Sequence, residues 1–148
     1  MARGRIPPFV PGLEDDDREA IIAANRAFYA AFSRRDFEAL AEMWATSMPV
    51  ACVHPGQPTL LGRENVLRSW QAILRNPNPP KAGVTDEFVI LRDGLAMVIC
   101  REILPGGQLI ATNGFVREGD AWKMVHHHAA PAPPTAQPTE RRDRRKLH

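Results

Sequence analysis

Cysteine is scarce, with only Cys52 and Cys100 in the chain, and the two are too far apart in sequence to form the close pairs that bind metals or cycle between thiol and disulfide. Each sits in an apolar segment (50–53 and 97–100), which suits a buried free thiol. Long hydrophobic runs are also missing. Runs such as 88–91 and 95–100 fall far short of the roughly 20 residues that a bilayer-spanning helix needs. No membrane partner is therefore expected. The first residues carry arginine but no continuous apolar run of the secretory type, and a cytoplasmic protein is the expectation. A basic surface is lacking too. Of the formal charge of +2, residues 1–5 hold +2 and residues 140–148 hold +3, which leaves −3 for residues 6–139. Phosphate backbones need a basic stripe, so no nucleic acid is expected on the folded part.

What is present fits one globular domain: 148 residues, 44% hydrophobic and 24% charged. The expected organisation is an N-terminal arm over 1–14, a domain over 15–130 and a Pro-rich, basic, disordered tail over 131–148. From Asp15 the chain reads as a helix, because Ile21, Ile22, Asn25, Phe28, Tyr29 and Phe32 recur at three- and four-residue spacing. Asp36 suits the N-cap of a second helix, antiparallel to the first, with Phe37, Leu40, Met43 and Trp44 as its apolar stripe. Residues 50–54 read as a buried strand ended by Pro55-Gly56, and Val66, Leu67, Trp70, Ile73 and Leu74 mark a third helix that ends before Pro77. Four further strands, 84–92, 95–104, 108–117 and 121–129, are joined by short turns and so must be antiparallel. The predicted fold class is α+β, with helices on one face of a curved antiparallel sheet.

Period-two alternation then assigns faces. On the last strand Trp122, Met124, His126 and His128 share one face, expected inward, and His127 looks to solvent or a partner chain. On the strand before it Leu109, Ala111, Asn113 and Phe115 point inward, or Thr112 in place of Asn113 if the register slips by one. Arg101 and Glu102 offer one charged side chain to each face, and the inward one can select a polar ligand. Trp44 and Trp70 sit at core spacing, and each of Trp44, Trp70 and Trp122 is able to stack a planar ligand.

The order of elements, with Arg35-Asp36-Phe37-Glu38-Ala39-Leu40, Val53-His54-Pro55-Gly56-Gln57-Pro58, Gly62-Arg63-Glu64-Asn65-Val66, Ala111-Thr112-Asn113-Gly114-Phe115 and Trp122 to His128, resembles the NTF2-like superfamily and its SnoaL-like and ketosteroid-isomerase-like members. The resemblance implies a cone, in which a bent sheet wraps three helices around an apolar pocket, and a homodimer through the outer sheet face. It implies no cofactor. In the isomerases and cyclases of this kind an aspartate after the first strand takes a proton next to a carbonyl, and His54 stands at that place. Their enolate-holding Tyr and Asp fall near Phe28 and Asn113, with Tyr29 adjacent. The departure at all three positions argues against steroid isomerisation.

The expected site is therefore a small-molecule pocket lined by His54, Asn113, His126 and His128. His54 would be a general base, since imidazole titrates near neutral pH; Asn113 would be an oxyanion donor and His128 an acid or second donor. Tyr29, Trp70, Trp122 and His126 would contact the ligand. Isomerisation, cyclisation or dehydration suits such a set, and so does recognition without turnover; a dimeric interaction module is the remaining alternative. His126-x-His128 with His54 has the makings of a three-imidazole zinc site, but no carboxylate stands by to orient the ligands, and no metal is expected.

Overall fold

The computed structural model describes residues 13–78 and 80–133. Residues 1–12 of the expected arm and 134–148 of the expected tail lie outside the described residues. The chain runs α1 (Leu13–Ser33), α2 (Phe37–Glu42), β1 (Ala51–Val53), β2 (Leu60–Leu61), α3 (Arg63–Leu74), β3 (Gly83–Arg92), β4 (Leu95–Leu104), β5 (Gly107–Glu118) and β6 (Ala121–Pro131). The strands form one curved, six-stranded sheet in the order β2-β1-β6-β5-β4-β3, and the fold is an α+β cone.

The helical periodicity is realised on α1, where Ile21, Asn25, Phe28, Tyr29 and Phe32 are all buried against the concave face. Asp36 caps α2 as expected, accepting a hydrogen bond from the Ala39 amide at 3.1 Å. That helix is shorter than its apolar stripe. Its continuation peels away to run beside β6, with Ala45 N donating to Met124 O at 2.8 Å and Met124 N to Met43 O at 2.7 Å. Trp44 is thereby carried into the core. β3 to β6 form an antiparallel meander, whereas β1 pairs with β6 in parallel, and β2 is an addition that the sequence pattern does not reveal.

Two β-bulges break the alternation of the sheet. On β3, Asp86 and Glu87 together oppose Cys100 of β4, and Asp86 takes the left-handed φ of 55° that this local bend requires. On β6, Val125 is the extra residue between Met124, opposite Phe115, and His126, opposite Gly114. Glycine suits position 114, where a Cβ would stand 3.3 Å from His126 Cβ. Beyond each bulge the inward and outward faces exchange places in the sequence count.

Substitutions at two positions test this frame by urea unfolding. Leu40→Ala, at a fully buried site, should cost about 2–5 kcal/mol. Asp86→Val should cost about 1–2 kcal/mol, because a β-branched residue resists positive φ, while Asp86→Gly should be tolerated.

Candidate functional site

A cavity of about 220 Å³ opens between α1, α3 and the concave face of the sheet. Its wall is mainly apolar, with Phe28, Phe32, Trp70 and Leu109 prominent, and its polar groups are Tyr29, His54, Glu102 and His127. Phe28 is the hub of the aromatic packing, meeting Tyr29 at 5.3 Å and Trp70 at 5.2 Å in edge-to-face contacts.

His54 follows β1 directly and is half-buried on the cavity wall. Its ring meets the edge of Trp70 at 4.8 Å, and its Nε2 shares a 2.6 Å hydrogen bond with Ser69 Oγ of α3. Partial burial holds its pKa below the ordinary imidazole value. Tyr29 and Trp70 also reach the cavity, as the sequence pattern leads one to expect. Asn113 points inward, and Thr112 does not take its place. Yet Asn113 lies behind the cavity wall, with its amide already engaged: Nδ2 donates to Asn25 Oδ1 at 2.8 Å and to the Tyr29 hydroxyl at 3.0 Å. Both amide hydrogens thus have partners within the protein, which leaves none for an oxyanion.

The expected facing of β6 needs correction. Trp122 and Met124 are buried as predicted, but the bulge at Val125 reverses the phase, so His127 turns inward while His126 and His128 lie on the outer face. Their rings neighbour each other there at 6.2 Å, on the opposite side of the sheet from His54. Trp122, though buried, packs near the turn to β5 and does not line the cavity. The three-imidazole arrangement therefore does not assemble. Among the described residues no group of three or more His, Cys, Asp or Glu is placed to hold a metal ion.

Two cavity residues escape the sequence reasoning in whole or part. His127 is buried, with its ring 6.4 Å from that of His54 and its Nδ1 2.6 Å from Asn113 Oδ1. The isolated Gly114 within a strand pattern is the one signal that points to the bulge behind this. Glu102 is the inward member of the Arg101–Glu102 pair; its position in phase with the buried Ala96, Val98 and Cys100 is the signal that settles the choice. Burial shapes the protonation of all these groups. It pushes His127 down to about 3, helped by the neighbouring imidazoles, and raises Glu102 against a smaller opposing effect of the Tyr29 hydroxyl. It also raises Tyr29, which stays a phenol throughout the physiological range.

The SnoaL-like domain family matches residues 21–134, most of the chain. The chain belongs to that family. Within the wider NTF2-like superfamily, this SnoaL-like domain is 39% identical to a protein from Streptomyces avermitilis named as a candidate dehydratase of the NTF2-like family. The likeness covers 82% of this chain and 99% of that one, with a TM-score of 0.77. A candidate calcium/calmodulin-dependent protein kinase type II association domain from Thiobacillus denitrificans is 32% identical, over 85% and 99% of the two chains, with a TM-score of 0.68. The F-box protein SKIP8 of Arabidopsis thaliana is 29% identical over 113 residues, 75% of this chain and 49% of its own length. The SnoaL-like chain thus spans about half the length of that curated relative. The family includes isomerases and dehydratases.

The depressed His127 pKa makes a prediction about acid. The folded state keeps this ring neutral while the unfolded chain protonates it below about 6.5, so its contribution is complete above that pH and is lost as the pH falls toward about 3. His54 acts in the same direction, and Glu102, with its raised pKa, in the opposite one. Urea unfolding at about pH 7 and about pH 5 should therefore show a loss of stability that His127→Gln reduces by up to about 1.4 kcal/mol per pH unit. An unchanged slope in that variant would mean that the ring is protonated in the folded protein.

Proposed function

We propose that this protein is an enzyme of general acid–base chemistry that eliminates water from, or shifts a double bond within, a small and mostly apolar carbonyl compound. The carrying observation is the meeting, in one apolar cavity, of two imidazoles whose pKa burial lowers with a carboxyl group and a phenol whose pKa burial raises. The likeness to the Streptomyces avermitilis protein supports the elimination.

In this reading His127 Nε2, the ring nitrogen that Asn113 leaves free, removes the proton next to the carbonyl. The electrons of that C–H bond form the new double bond as the C–O bond breaks, and Glu102 gives its proton to the departing hydroxyl, which leaves as water. Tyr29 donates to the carbonyl oxygen as charge builds on it. His54, tied to Ser69, anchors the polar end of the substrate and is the second candidate for the base. Isomerisation uses the same base and returns the proton to a different carbon. A cavity of about 220 Å³ lies below the roughly 300–1,000 Å³ of drug-sized sites, which favours a single-ring compound over a steroid.

The test uses a panel of monocyclic β-hydroxy ketones, with turnover followed by the absorbance of the conjugated enone. His127→Phe and Glu102→Gln should each lower kcat/KM by about 10²–10⁴-fold. Probes that stabilise the protein against heat and emerge unchanged would replace this reading with that of a binding protein.

We also infer that two copies pair through the outer sheet face. Phe88 and Leu95 are 64% and 51% exposed there, with Ile90 and Met97 alongside, an apolar surface that pairing would cover. Phe88→Lys should turn a dimer into a monomer in sedimentation velocity; a monomeric parent protein would sink the inference.

A further inference from the structure

Behind the cavity wall lies a line of polar side chains that no acid–base step uses directly. It starts at Glu87, placed inward by the β3 bulge, whose Oε1 accepts from Arg26 Nε at 2.8 Å and whose Oε2 accepts from Asn25 Nδ2 at 3.0 Å. The Glu87 side chain is only 6% exposed, and a carboxylate paired with a guanidinium has no proton to give. Asn25 must therefore turn its amide nitrogen to Glu87, which leaves its oxygen facing Asn113. Asn113 must in turn present its nitrogen to Asn25, at 2.8 Å, and its oxygen to His127. An amide oxygen accepts and cannot donate. The 2.6 Å contact is then a hydrogen bond only if the imidazole carries its hydrogen on Nδ1. Each orientation follows from the one before it, and the first follows from charge.

We propose that Glu87, Asn25 and Asn113 form a positioning relay that holds neutral His127 in the Nδ1–H tautomer, so that Nε2 meets the cavity as an unprotonated acceptor. The residues named lie outside the expected site except Asn113, whose role changes from substrate contact to orientation of the base. The ligand that such a nitrogen serves is one that brings a hydrogen to it: an acidic C–H or a hydroxyl. The inference rests on the acid–base reading of the cavity only for this last consequence, since the tautomer itself is a property of the protein alone.

The experiment measures the ring ¹⁵N shifts of His127 by NMR in the full chain without ligand at about pH 7, with the resonance assigned by its loss in His127→Phe. The expected result is a pyrrole-type Nδ1 and a pyridine-type Nε2. The opposite pattern overturns the relay outright. Glu87→Gln keeps the shape but can donate as well as accept, so the line loses its imposed polarity and the Nε2–H tautomer should become populated. A ring that keeps a pure Nδ1–H pattern in folded Glu87→Gln overturns the role of Glu87. Should Glu87→Gln fail to fold, the pattern in the parent protein still decides the central point. The two readings fail separately. A pyrrole-type Nδ1 together with turnover indifferent to His127→Phe retains the relay and removes the acid–base role, and the opposite tautomer with turnover lost in His127→Phe does the reverse.

Discussion

Four hydrogen-bonding side chains, Glu87, Asn25, Asn113 and His127, are sealed between a helix and a sheet where an unpaired polar group would cost about 1–3 kcal/mol. Their mutual satisfaction is the constraint on which the site depends. It ties α1 to β3, β5 and β6 at one depth in the cone, so that the helix cannot rotate or slide without stranding several donors at once. The single ionic pair in the line, Arg26 with Glu87, reaches solvent only through the arginine. A charge fixed at the rim thereby sets the orientation of neutral groups deep inside, and those groups gain a definite direction that apolar packing by itself does not provide.

The same burial acts on groups of opposite chemistry and gives them opposite shifts. The pKa of each imidazole falls and that of the carboxyl rises, because in each case the low-dielectric cavity disfavours the charged form. Groups shifted in opposite directions thus face the same small volume. The cost appears as acid sensitivity, since His127 resists protonation only as long as the fold holds.

Most of the fold is legible in the sequence because helix periodicity, the Asp36 cap and the short turns of the meander are local signals. What reads poorly depends on pairing. β2 has two residues and gains its identity only from β1, and the parallel contact of β1 with β6 joins segments more than 70 residues apart. The site is legible where the helix or strand that carries it keeps its own period. Asn113 and Tyr29 sit in uninterrupted periodic segments and face as expected, whereas His126, His127 and His128 follow Val125, and one extra residue exchanges their faces. Glu87 was hidden in the same way behind Asp86.

That both ends of the buried line are placed by bulges has a physical reason. In an undisturbed strand the inward positions are those that bury apolar side chains, and a polar group at such a position competes with the core. A bulge turns the strand locally and lets one side chain enter from a different angle, with the twist and the extra residue absorbing the mismatch. β3 uses the left-handed Asp86 for this and β6 uses Val125 opposite Gly114, whose missing side chain leaves room for the close approach of His126. The two irregularities lie on different strands, yet they deliver a carboxylate and an imidazole to the two ends of one chain of amides. Each has a partner that makes its burial tolerable, Arg26 and Asn25 for Glu87 and Asn113 for His127. The bulges and the polar line thus act together, and which histidine of β6 reaches the cavity follows from the geometry of the sheet.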